Sequence, residues 1–330
     1  WSAQELSTDE ALIGWNDATI KDFHNLSWSS ADVFIRALYS RIYFQITLCN
    51  EFVRESAPSK LSERGISGAD ATEIGHMRAE ARFLRALSYY HALDLFGNVP
   101  FVTEADNVGA FLPSQISRGN LFNYIETELK AIETELKDAR TNEYGRADKA
   151  AAWALLSRLY LNAEVYTGTS RYTDCITYCN KITAIAGYSL VNNYRHLFLA
   201  DNNATSNSEF IFAVNFDGNK ARTWGGTTFL VHAPIGGSMS AASHGVDFGW
   251  GGIRTTKQFV QKFAGPAGDS RENFYTSGQN LEINDVATFT DGYAIVKFRN
   301  VTSTGANGSN PTWVDTDFPF FRLAEIYLNY

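Results

Sequence analysis

The sequence predicts a mainly α protein, with stacked helices in its first part and a loop-rich region of mixed α/β character after them. Three observations lead there. Between residues 31 and 186, apolar side chains recur at helical spacing in successive segments. One of those segments is crowded with alanine and apolar almost all round, as a helix packed on several sides requires. After Tyr188 the texture changes to short strand-like runs between loops rich in Gly and Ser.

The first long helix is expected over residues 31–56, where Ile35, Leu38, Ile42, Ile46, Cys49 and Val53 form one stripe. A second covers 69–96, carrying Ala81, Leu84, Leu87 and Leu95. It stops at Gly97-Asn98-Val99-Pro100, because Gly suits the left-handed residue after a helix and Pro cannot continue one. Over 118–140, Leu121, Ile125, Leu129, Ile132 and Leu136 share a face. Glu126 with Lys130 and Glu133 with Lys137 then make i, i+4 pairs on the solvated side. The run from Ala150 to Leu156 lies in a helix over 147–166, which must bury Trp153. A fifth helix spans 171–186 and ends near Gly187. Amphipathic outer helices alternating with a small-residue inner one describe a tetratricopeptide-like helical-repeat scaffold over 1–187, with a loop segment at its start.

Residues 188–316 form the loop-rich part, with strands expected at 209–214 and 293–298 and a helix at 255–263. Binding sites concentrate in such loops. A further repeat helix is expected to begin near Phe318, within 317–330. The chain starts at Trp1 and stops inside this helical pattern at Tyr330, so it reads as a truncated piece of a longer protein.

Composition narrows the function. Of 330 residues, 45% are apolar and 19% charged, enough to bury a sizeable core. Aromatics reach 14%, more than such a core needs, so some are expected to face a ligand. A net charge of −8 provides no basic field for phosphate backbones, which argues against nucleic acid and for neutral ligands. Cys49, Cys175 and Cys179 form no disulfide framework and read as small buried residues. His196 is the one sequence-near partner for a metal, too little for a site, and no cofactor is expected. No apolar run approaches the roughly 20 residues of a membrane span.

Several segments resemble the SusD/RagB family. The run EARFLRALSYYHALDLFGNVPFVTE, residues 80–104, is similar to that family's helix of E-A-x-F-L-R-A type ending in a G-x-V-P turn. RADKAAAWALLSRLYLNAEVYTG resembles the next inner helix. GYSLVNNYRHLFLADNNATSNSEFIFAVNF resembles the G-Y-x-L, L-F and S-E-x-I-F stretch, and FPFFRLAEIYLNY the closing R-x-A-E-x-Y-L-N-Y segment. The resemblance implies a SusD-like fold and capture of oligo- or polysaccharide at the surface of the outer membrane. It further implies delivery to a SusC-like TonB-dependent transporter, and membrane attachment through an N-terminal lipid outside this sequence. Peptide uptake by a SusD/RagB-like protein is the alternative within the family.

The hallmark residues Glu80, Arg82, Arg85, Arg322 and Glu325 sit at helical spacings suited to ion pairs between helices, so the ligand site is sought elsewhere. Sugars present apolar C–H patches and many hydroxyls, which calls for exposed aromatic faces beside polar side chains. The candidate ligand-binding residues are Trp224, Trp15, Trp28, Trp250, Asp17 and Arg254. Trp313 with Asp315 offers a similar pairing, and His232 and His244 flank the Gly-rich loop. A glycoside hydrolase, the alternative of another class, would need two opposed carboxylates, and no spacing singles out a pair. There is no G-x-S-x-G, H-E-x-x-H or P-loop, so no catalytic residues are assigned and an enzyme is not expected.

Overall fold

A computed structural model describes the chain apart from residues 110, 264, 266 and 267. The chain is mainly α, with 44% of the described residues helical. It divides into two compact units. One comprises Ala37–Ser189, Phe210–Phe212 and Phe321–Tyr330; the other comprises Trp1–Arg36, Leu190–Glu209 and Ala213–Phe320.

The unit built on Ala37–Ser189 is helical. Its long helices are α1 (Val33–Glu55, which starts just before the unit), α2 (Gly68–Phe96), α3 (Arg118–Ile132), α4 (Lys149–Leu161), α5 (Tyr172–Thr183) and the closing α6 (Leu323–Asn329). Helix α1 buries Ile42, Ile46, Cys49 and Val53, the inner part of the expected stripe. Helix α2 ends on Gly97 with φ +74, the conformation that favours glycine there. It packs on α3, while α4 packs on α5 and α6 closes against both. Helix α4 is buried from Ala150 through Ser157, Trp153 included. Packing it on several sides leaves few solvent-facing positions, which explains why alanine dominates its sequence.

Between these helices lies a network of charges. Arg85, 2% exposed, donates to Asn50 Oδ1 at 2.7 Å, to Glu128 Oε1 at 2.7 Å and to Glu104. Arg82 holds Glu128 at 2.8 Å and Glu135 at 2.9 Å. Arg146 grips Glu80 at 2.7 Å, and Arg158 grips Glu325 at 2.6 Å. Burial alone would raise the Glu128 carboxyl, but Arg82 and Arg85 hold it below the usual carboxylate range. Arg82, Arg85 and Glu325 thus join helix to helix, and Glu80 ties α2 to the turn before α4. Two expectations fail locally. Helix α3 ends at Ile132, not near 140, so Glu133 and Lys137 leave the helical register. They pair instead with Lys181 at 2.6 Å and Glu73 at 2.8 Å.

The helix expected from Phe318 starts only at Leu323, because Phe318–Arg322 is a strand. Pro319 keeps its predecessor extended, and the phenylalanines around it favour a pleated surface.

In the other unit, β1 (Ala11–Ile13) pairs antiparallel with β2 (Ile253–Thr255), placing Ala11 opposite Thr255 and Ile13 opposite Ile253. Both strands are buried throughout. Leu6, Ala11, Ile13, Ile20, Phe23, Ala233 and Ile253 form the core beneath them. The strand expected over 293–298 shortens to Ala294–Ile295, which pairs with Phe274–Tyr275. Among the described residues no helix is long and apolar enough to cross a membrane.

Candidate functional site

The β1–β2 pair sets two tryptophans side by side. Beyond Ile13 the pairing continues with Gly14 N–H donating to Gly252 O at 3.0 Å, so Trp15 and Trp250 emerge at the same end. Trp15 Nε1 donates to Trp250 O at 2.9 Å, and the two rings lie 6.2 Å apart. A Cβ at position 252 would sit 2.3 Å from the Trp15 ring. Glycine is therefore needed there for indole and backbone to meet, a steric reading of the Trp250-Gly251-Gly252 run.

The helix Gly226–His232 supplies the next wall. Its Phe229 meets Trp15 edge to face at 6.0 Å, and its His232 stacks on Trp250 at 4.9 Å and 21°. His232 is fully buried, with Nδ1 2.8 Å from Phe248 O and Nε2 3.0 Å from Thr312 O. It joins the chain just before Trp250 to the segment carrying Trp313. Gly226 opens this helix with φ +62, and a Cβ there would fall 2.1 Å from Phe216. The turn at Trp224-Gly225-Gly226 is thereby fixed, and it leaves Trp224 56% exposed. That ring sits 4.3 Å from Trp313 and 6.0 Å from Trp250.

These elements enclose a cavity of about 780 Å³. Eight aromatic side chains line it, Trp15, Trp250, Phe216 and Phe229 among them, together with Asp17, Ser2 and the Gly225-Gly226 backbone. Asp17 is its charged lining residue among those described and lies exposed at the wall. The volume falls within the range of roughly 300–1,000 Å³ common for small-ligand sites. Flat rings with a few polar groups suit a ligand that is apolar on its faces and hydroxylated at its edge.

The structure brings together three of the six candidates, Trp15, Trp250 and Asp17, as lining residues. Trp224 continues the aromatic wall outward through Trp250 and Trp313. Trp28 is 47% exposed in the loop before α1, and it does not line the cavity. Arg254 has another place. It is 1% exposed, and its guanidinium donates to the carbonyls of Thr288, Asp291 and Val286. Those bonds close the 286–291 loop and leave its charged head no path to a ligand in the cavity. His232 and His244 are likewise buried against backbone carbonyls, His244 Nδ1 lying 2.9 Å from Ser240 O. Phe216 and Phe229 are not among the residues the sequence singles out, whereas Trp313 is, through its pairing with Asp315.

Comparison with known proteins gives consistent matches. Residues 3–161 match the SusD-like family model described as starch-binding associating with outer membrane. The starch-binding protein SusD of Bacteroides thetaiotaomicron is 34% identical to the chain, over 99% of it and 65% of SusD. The chain thus spans just under two thirds of that relative. Surface glycan-binding protein A from Bacteroides fluxus has the same fold, with a TM-score of 0.77 at 21% identity, covering 100% of the chain and 69% of that structure. A laminarin-binding SusD-like protein aligns with a TM-score of 0.75 at 20% identity, covering 99% of the chain and 73% of its own. Sequence and fold agree: the chain belongs to the SusD-like family.

Proposed function

We propose that the chain captures oligo- or polysaccharide at the outer surface of the outer membrane and passes it, uncleaved, to a SusC-like TonB-dependent transporter. The observation that carries this reading is the aromatic cavity, where indole and phenyl faces stand ready for sugar rings and Asp17 for their hydroxyls. Starch binding in the 34% identical relative and laminarin binding in a protein of like fold support a neutral glucan as the ligand class. A lining with one acidic side chain suits neutral sugar, and it suits holding better than hydrolysis, which works with two opposed carboxylates.

Affinity electrophoresis and calorimetry on a panel headed by starch and laminarin test the binding. A few aromatic anchors carry most of such a binding free energy, so Trp224→Ala is expected to cost about 2 kcal/mol, roughly thirtyfold in Kd. Trp250→Ala should cost as much. Trp28→Ala, outside the cavity lining, should bind within about twofold of the parent. Folded Trp224 and Trp250 variants that bind like the parent would overturn the site. Delivery is tested separately, by asking whether the protein carrying its membrane anchor recovers a TonB-dependent transporter from outer membranes; repeated recovery without one would count against that step.

A further inference from the structure

A second concave site lies in the unit that holds the cavity, and it shares no lining residue with it. This cleft of about 330 Å³ is walled by the turn Tyr194–Phe198, the stretch 296–305, Ser243 and Asn273. Arg195, His196, Lys297 and Arg299 line it, and no Asp or Glu does among the described residues. For a chain of net charge −8 this is a local reversal of sign.

The two arginines are the informative pair. Arg299 Nη2 donates to Ser243 O, while its Nε is buried without a hydrogen-bond partner. Among the described residues neither Arg195 nor Arg299 has a carboxylate within salt-bridge distance, although arginines elsewhere in the chain find one repeatedly. Asp201, on the neighbouring turn, spends both oxygens on Ser303, at 2.9 Å from its N–H and 2.6 Å from its hydroxyl. Lys297 is engaged differently, its ammonium 4.5 Å over the Phe198 ring and within the field of Glu5. Burial lowers the Arg299 pKa, and the charge of Arg195 lowers it further. Two like charges thus face one concave space whose described lining holds no Asp or Glu.

We propose that this cleft binds an oxyanion, a sulfate, phosphate or carboxylate group, held by the guanidiniums of Arg195 and Arg299 within the positive field of Lys297. Guanidinium suits this role because its planar donors match the oxygens of such groups in pairs. The group can come as a free inorganic ion or as a substituent on a sugar, a sulfate ester or a uronate. The inference stands on a different set of residues from the glycan reading and survives if that reading fails.

Calorimetry and thermal melting of the whole 330-residue chain test it. The probes are sodium sulfate, sodium phosphate, glucuronate and glucose 6-sulfate, with glucose as neutral control and ionic strength held with sodium chloride. At least one oxyanion should bind saturably and raise the melting temperature, and glucose should not. Arg195→Glu, a change at an exposed side chain, should weaken that binding by about tenfold or more, the scale of one charge-assisted hydrogen bond. Arg299→Gln should weaken it similarly, with melting in chloride alone as its folding control. Tighter binding of glucuronate or glucose 6-sulfate than of inorganic ions identifies a charged sugar as the ligand; the reverse order identifies a free ion. No saturable binding of any oxyanion, or equal binding by the parent and Arg195→Glu, would overturn the proposal.

Discussion

Glu5 shows how far one side chain departs from its free behaviour. Burial, and next a hydrogen bond shared with Glu10, push its carboxyl up to about 7 from an ordinary 4.5, against a weaker opposing pull from Lys297. A carboxyl whose folded pKa is raised favours folding in its protonated form. Its contribution is full below about pH 4.5 and is lost as pH rises through about 7. The expected outcome is a parent protein that loses stability relative to Glu5→Gln between pH 5 and pH 8. Melting both proteins across that range checks it, and a pH-independent difference would refute it. No feature of the sequence announces this shift, since burial and the approach of Glu10 arise only on folding. Arg254 makes the same point for the site. Its type and its neighbourhood to Trp250 suggested a ligand contact, but its carbonyl partners lie at Val286, Thr288 and Asp291. Trp15 and Asp17, singled out from the sequence, both line the cavity, although Trp15 also packs on the core beneath β1 and β2.

Helices in this chain are legible in proportion to how locally they are determined. Helix α4 has its start written in sequence: Asp148 accepts from Ala150 N–H at 2.8 Å and Ala151 N–H at 3.2 Å, ahead of a run of good helix formers. The same carboxylate also accepts from Arg140 N–H at 2.7 Å, tying the preceding loop to the cap. Asp148→Ala removes all three bonds and is expected to cost about 1–2 kcal/mol, the upper part of the range for helix caps. Asp148→Asn should retain much of that. Urea unfolding of the three proteins measures it, and an Ala variant as stable as the parent would show the cap to be idle. The end of α3 was not legible for the opposite reason. Leu136 continues the apolar spacing and is 2% exposed, yet the helix has already stopped at Ile132. Beyond that end Glu133 pairs with Lys181 and Lys137 with Glu73, partners far off in sequence. A stripe of apolar residues reports what is buried, not where the backbone changes course.

For the molecule as a whole, a net charge of −8 coexists with two concave sites of different lining, one aromatic and one basic. Arg82, Arg85 and Glu325 of the family's charged hallmark are occupied in joining helices, and the proposed reading assigns ligand recognition to aromatic rings in the unit of Trp1–Arg36, Leu190–Glu209 and Ala213–Phe320. Sequence could show the first fact through spacing, but only folding brings Trp15, Phe229 and Trp250 to one cavity. The two surfaces should respond differently to salt. Stacking of a neutral sugar on indole involves no net charge on the ligand, whereas attraction between an oxyanion and two guanidiniums is screened over a length of about 10 Å at 0.1 M salt and about 3 Å at 1 M. The last prediction follows. Between roughly 50 mM and 500 mM sodium chloride, neutral glucan binding should change by less than about twofold. Over the same range oxyanion binding should weaken by about tenfold, with chloride both screening and competing. Calorimetric titration of one preparation with each ligand at both salt concentrations makes the comparison. Glucan binding that falls as steeply as sulfate binding would mean that charge, and not the aromatic wall, governs capture, and the cavity would lose its claim to be the sugar site.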